Sequence, residues 1–184
     1  KEIYKGEDPV PLHAPRFIGN EKKYLNECID STYVSYVGKF VSEFEKHIIK
    51  LTGAKNAIAM NNGTSALQMS LIACGIERGE EVITQALTFA ATAASICTVG
   101  AIPVFVDVEK DTMGMNPEKL SDFLMKNAEK RAEGTINKIT GNRIAAIMPM
   151  HTFGHPVRIQ EIVEIGKEWN LVVIEDAAES LGSY

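Results

Sequence analysis

Cysteine is scarce in this sequence, and the three present, Cys28, Cys74 and Cys97, stand far apart with no Cys-x-x-Cys pair. That spacing argues against a disulfide framework or a zinc site and favours reduced thiols in a cytoplasmic protein. An excess of positive charge is also lacking, since 19 Lys plus Arg face 24 Asp plus Glu for a formal net charge of −5. Without a broad basic field, nucleic acid or an anionic membrane is disfavoured as the main partner. No internal repeat, low-complexity tract or basic-then-apolar leader is visible. Val82 to Val106 carries no charge, but Thr84, Gln85, Thr88, Thr92, Ser95 and Thr98 interrupt it and Gly100 and Pro103 break it. It reads as strand, helix and strand inside a core rather than a membrane span. What remains, at 184 residues with 45% hydrophobic and 23% charged, is an ordinary globular composition able to bury a core.

Along the chain, an extended opening bearing Pro9, Pro11 and Pro15 leads to Asn20, which can cap a helix with Tyr24, Leu25, Cys28 and Ile29 on one face. Val41, Phe44, Ile48 and Leu51 step at helical spacing through a second helix that Gly53 ends. Residues 1–53 are thus read as an N-terminal helical segment and 54–184 as an α/β domain. In the latter, apolar runs at 57–60, 81–84, 102–106, 144–148 and 171–174 alternate with predicted helices near 64–74, 88–99, 117–130 and 157–169. Runs apolar on both faces and joined by helices predict a largely parallel sheet covered on both sides. Asn116-Pro117 supplies a cap and first-turn pair for the third of those helices. Lys126 to Asn142, polar and charge-rich, reads as a helix end plus a surface excursion.

Ligands of open α/β sheets bind beyond the carboxyl ends of the strands, so the residues after each apolar run are the first candidates. Gly63-Thr64-Ser65 follows Met60 as a glycine turn opening a helix, where free N–H groups and two hydroxyls suit a phosphate, or simply a capped helix start. No Gly-Lys-Ser/Thr follows, so it is not a P-loop. Asp176, within Glu175-Asp176-Ala177-Ala178-Glu179, stands after a buried run. A carboxylate there can ligate a metal, pair with a basic side chain, hold a protonated ring nitrogen, or cap the next turn. Phe89, in Thr88-Phe89-Ala90-Ala91-Thr92, is either core or a stacking platform. His151, in the loop after the fourth run, is a candidate donor or acid.

Taken together, NNGTSAL, TFAAT, GAIPVFVDV, HTFGHP and VIEDAAESLGS, in this order and at these separations, resemble the pyridoxal-phosphate sugar aminotransferases of the DegT/DnrJ/EryC1/StrS family. The opening PLHAPRFIGNEKKYLNECIDS and the following VSYVGKFVSEFE resemble the branch that aminates 4-keto-6-deoxy nucleotide sugars, as in bacillosamine or legionaminic acid biosynthesis. The resemblance implies the N-terminal portion of a fold-type I large domain that binds pyridoxal 5'-phosphate. Gly63, Thr64 and Ser65 would cradle the cofactor phosphate, and Phe89 would stack on the ring with Ala178 against its other face. Asp176 would hold the ring nitrogen protonated. Glu179 stands where the family commonly has glutamine, near the ring hydroxyl, and an ionised glutamate accepts hydrogen bonds without donating them. His151 would approach the cofactor and sugar side, and Ser35 and Tyr36, in the Ser35 to Lys39 segment, would line the sugar pocket.

The family's aldimine lysine lies a few tens of residues beyond this aspartate, and no lysine follows Asp176 here. The expectation is therefore a chain that stops short of the catalytic amine and of the smaller C-terminal domain, inactive alone and homodimeric when complete. The activity implied is transfer of an amino group, from glutamate, to a 4-keto-6-deoxy nucleotide sugar. Two alternatives stand beside it: a dehydratase on the same scaffold, in which histidine replaces the lysine, and a phosphate-binding module without chemistry.

Overall fold

A computed structural model describes residues 15–183, and the proline-bearing opening with Pro9 and Pro11 lies outside the described residues. The chain divides into two compact units, one ending at Ala59 and the other beginning at Met60. The first holds two helices, α1 (Glu21–Asp30) and α2 (Lys39–Thr52). Asn20 occupies the cap position of α1 without a side-chain cap bond, and the Glu21 carboxylate takes the Gly19 N–H instead, at 2.9 Å. Lys39 pairs with Glu27 at 3.1 Å, and the Tyr24 and Phe40 rings meet at 5.1 Å. Gly53, at φ 71°, ends α2 in the left-handed conformation that glycine adopts without strain.

The second unit is an α/β layer structure. Strands β1 (Glu81–Gln85), β2 (Ile102–Val106), β3 (Ala128–Arg131), β4 (Gly134–Asn137), β5 (Arg143–Met148) and β6 (Val172–Val173) form one sheet in the order β2-β1-β5-β4-β3, with β6 also beside β5. β1, β2, β5 and β6 run parallel, whereas β3 and β4 are antiparallel additions. Helices α3 (Gly63–Ala73), α4 (Ala90–Thr98), α5 (Pro117–Asn127) and α6 (Ile159–Trp169) cover it. The two-sided apolar pattern of the parallel strands has a direct cause. Successive strand residues point to opposite faces, so Val82 and Met148 join Leu67, Leu71 and Ile96 of α3 and α4, while Ile83 and Ile147 join Leu120, Leu124 and Ile162 of α5 and α6. Asn116 caps α5 as the sequence predicts, its Oδ1 accepting the N–H groups of Glu118 (2.9 Å) and Lys119 (3.2 Å).

Two expectations change. The run 57–60 forms no strand: among the described residues nothing pairs with it, and a strand exists only through a neighbour that takes its backbone hydrogen bonds. Ile58 is 81% exposed there. Lys126 to Asn142 is no mere surface excursion either, because it contains the β3–β4 hairpin, which extends the sheet. Its polar side chains are buried against distant partners: Thr135 donates to the Trp169 carbonyl (2.5 Å), and the Asn137 amide donates to the Glu81 carboxylate (2.8 Å).

Close packing of α6 depends on Gly166, where a Cβ would lie 2.8 Å from Val173 Cγ2 and 3.2 Å from the Leu171 carbonyl oxygen. Gly166→Ala should therefore destabilise the protein by about 1–3 kcal/mol, read from the urea unfolding midpoint. The loop after β2 is tied to the start of α6 by Arg158, whose Nε donates to Glu109 Oε2 at 2.7 Å. The guanidinium holds the Glu109 carboxyl below its ordinary value, chiefly through this hydrogen bond. Such a group adds stability that is complete above the unfolded pKa of about 4.3 and is lost as pH falls through the lower native value. Glu109→Gln should accordingly lower stability at neutral pH and flatten this part of the acid limb, measured by urea melts between pH 7 and 3.

Candidate active site

The carboxyl edge of the parallel strands gathers most of the chemistry-bearing residues. Beyond β6 the chain stays registered on the segment after β5, with Asp176 N–H donating to the Pro149 carbonyl (2.9 Å) and His151 N–H to the Asp176 carbonyl (3.2 Å). This ladder fixes the backbone and turns the Asp176 side chain inward, where the residue is 4% exposed. Its Oδ2 accepts the Thr92 hydroxyl at 2.6 Å and its Oδ1 the Ala178 N–H at 3.3 Å. Thr88 donates in turn to Thr92 Oγ1 at 2.7 Å, so two hydroxyls from the start of α4 point one after the other toward the carboxylate. Among the described residues no Lys, Arg or His side chain forms an ion pair with Asp176. A buried anion held by neutral donors alone fits a ligand that brings its own positive charge.

The glycine turn opens α3. Asn62 is its cap, accepting the Ser65 N–H at 2.8 Å, so Ser65 retains only its hydroxyl for a ligand. The N–H groups of Gly63 and Thr64 belong to the first turn, which the helix cannot satisfy from within. A Cβ at Gly63 would meet nothing within 4 Å, so open space lies in front of this turn. Helix α4 relates the turn to the aspartate: Ser95 donates to the Thr64 carbonyl (3.3 Å) and Thr92, three residues earlier on the same helix face, donates to Asp176. One helical turn thus separates the contacts that reach the two.

Phe89 precedes α4 and is 67% exposed, so its ring is a surface element and not core. Its N–H points to Met150 Sδ at 3.3 Å. Phe89, Thr88, Met150, Phe153 and Glu179 line a cavity of about 120 Å³. Glu179 Oε2 accepts the Phe153 N–H at 2.7 Å, and Ala178 is exposed beside it. His151 is 6% exposed with both ring nitrogens engaged. Nδ1 accepts the Val157 N–H at 3.1 Å, so Nε2 carries the proton and donates to Glu175 Oε2 at 3.0 Å. His151 therefore ties its own loop to Val157 and Glu175 and presents no free nitrogen. Ser35 and Tyr36 lie in the first unit, on the exposed loop between α1 and α2.

Sequence reasoning missed Thr88, Thr92 and Met150. The i, i+4 threonines at a helix start were a readable signal, but their acceptor lies on a distant segment, with Thr92 and Asp176 separated by 84 positions.

With this geometry in place, relatives are informative. The chain is 41% identical over 174 residues to GDP-perosamine synthase of Caulobacter vibrioides, a match that covers 95% of this chain and 43% of that protein. The solved aminotransferase from Psychrobacter cryohalolentis superposes with a TM-score of 0.79 at 32% identity, over 94% of this chain and 40% of that one. NtdA from Bacillus subtilis, solved with bound cofactor PMP, gives 0.73 at 25% identity, over 96% and 39%. This chain thus spans about two-fifths of the length of the relatives it matches. The family model for these proteins matches residues 15–184, and the chain belongs to the DegT/DnrJ/EryC1/StrS aminotransferase family.

Proposed function

We propose that this chain carries the cofactor-holding part of a pyridoxal-phosphate-dependent aminotransferase that moves an amino group, from glutamate, to a 4-keto-6-deoxy nucleotide sugar. We further propose that the protein is cytoplasmic and acts as a homodimer. Among the described residues no helix is long and apolar enough to cross a membrane. One observation carries the reading: the buried Asp176 carboxylate, which meets only neutral donors and is linked through α4 to the open first turn of α3. A relative named GDP-perosamine synthase and a fold neighbour solved with bound cofactor PMP support the same choice.

When bound, pyridoxal phosphate supplies an electron sink for the charge left on a substrate carbon that loses its proton. Asp176 would hold a proton on the ring nitrogen, because a carboxylate adjacent to that nitrogen favours its charged form. Thr92 and the Ala178 N–H keep that carboxylate oriented, and Thr88 keeps Thr92 oriented. Gly63 and Thr64 N–H groups, with the Thr64 and Ser65 hydroxyls, would hold the phosphate at the positive end of α3. The exposed Phe89 ring would cover one face of the cofactor, and the small Ala178 side chain would allow approach on the other. Glu179 would lie beside the ring hydroxyl as an acceptor. None of these residues is a lysine, and their part would be to bind and orient the cofactor.

The test is Asp176→Asn in the protein assayed with glutamate and a 4-keto nucleotide sugar. The amide should weaken cofactor binding by about tenfold, the worth of one charge-assisted hydrogen bond, because the phosphate contacts are untouched. Amino transfer should fall by roughly 10²-fold or more. Near-normal turnover with cofactor retained would refute the role given to Asp176.

A further inference from the structure

Gln85 closes β1 as a polar residue at the end of a strand buried at every position, and it is fully buried itself. A carboxamide has two N–H donors and one oxygen that can accept two bonds, and here all four capacities are filled. Nε2 donates to the Leu87 carbonyl and to Thr152 Oγ1, both at 2.9 Å. Oε1 accepts the Met115 N–H at 2.9 Å and the Met150 N–H at 3.0 Å. Reversing the amide would set its NH₂ against two backbone N–H donors, so the orientation is determined by the partners. Asparagine is one methylene short, glutamate has no N–H to give, and an apolar residue would leave buried backbone groups unpaired.

These partners belong to three separate loops, and two of those loops hold the ring site. The Leu87 carbonyl leads directly into Thr88 and Phe89. Met150 receives the Phe89 N–H on its sulfur, and its backbone is bridged to Asp176. Resting on the cofactor reading above, we infer that Gln85 is a positioning residue for the ring site: one carboxamide locks the Leu87, Met115 and Met150–Thr152 loops in the arrangement that aims Phe89 and Asp176 at one ligand. It touches neither residue. Its effect is on ring orientation and leaves the phosphate contacts at Gly63 and Thr64 alone.

Two readouts on the purified protein test this, with Gln85→Met removing all four bonds and Gln85→Glu keeping the two acceptor bonds while losing the two donors. In the cofactor-free protein, hydrogen exchange at the Met115 and Met150 amides should accelerate by about tenfold in Gln85→Met, with α5 unchanged. In Gln85→Glu the loosening should be confined to Leu87–Phe89 and Thr152. With saturating pyridoxal phosphate, the induced circular dichroism of the bound ring should fall by about half in Gln85→Met, and amino transfer by about tenfold through kcat with KM for glutamate little changed. Unchanged exchange at Met115 and Met150 in Gln85→Met, or unchanged exchange at Leu87–Phe89 and Thr152 in Gln85→Glu, would overturn the inference. So would loosened loops with a native induced signal, or acceleration spread evenly through α5. Gln85→Glu carries the test alone where Gln85→Met does not fold. A wild-type protein that gives no induced signal with pyridoxal phosphate refutes the cofactor reading instead, and the exchange pattern still decides whether Gln85 holds the loops.

Discussion

Placing the Asp176 carboxylate among neutral donors has an electrostatic cost that the surrounding loops are arranged to limit. Thr92 and the Ala178 N–H reach its two oxygens, and Thr88 stands behind Thr92. Each of these groups comes from a segment that begins where a parallel strand ends. The sheet therefore does more than fill the core. By running β1, β5 and β6 in one direction it delivers three loop starts to a single edge, and the charge sits where those loops meet. Removing any one loop from register would leave a buried anion with too few donors, which is the more expensive error in a low-dielectric setting.

The opposite edge makes an instructive contrast. Glu81, at the start of β1, is equally buried, yet its oxygens are taken by Asn137, Thr140 and Asn142, all from the β3–β4 hairpin and the turn after it. That carboxylate has no open side. Two acids at opposite ends of the same sheet thus differ in what encloses them: one is held by three side chains from a single hairpin and its turn, and the other by Thr92 and the Ala178 N–H from two separate loops.

Much of this was legible in the sequence because the relevant physics is local. Apolar residues on both faces marked β1, β2 and β5 without an alternation signal, although Glu81 and Gln85 of β1 are buried polar groups and β2 is partly exposed. Gly53 and Asn116-Pro117 mark helix ends through their own backbone and side-chain chemistry. Asp176 and Phe89 were singled out by the rule that ligands gather beyond strand ends, and Gly63 by the same rule although the run before it forms no strand. What escaped depends on partners remote in the chain. The run at 57–60 has strand composition, but composition cannot supply a pairing neighbour. The β3–β4 hairpin looked solvated because Thr135 and Asn137 reveal their acceptors only once the chain has folded. His151 sits at a suggestive position, yet its two nitrogens are consumed by Val157 and Glu175, which no spacing rule discloses.

The shortest strand has a thermodynamic consequence. β6 pairs with β5 over only Val172 and Val173, after which the Met150–Asp176 bridge continues the ladder. So brief a ladder makes this strand a natural unit of sub-global opening, with a free energy below that of the sheet centre. Asp176 travels with it. A ligand that engaged Asp176 would bind only the docked form, so part of its binding energy would hold β6 in place, and saturation would raise that local stability by RT ln(1 + [L]/Kd). Occupancy of such a site and docking of β6 would then be one equilibrium observed from two sides.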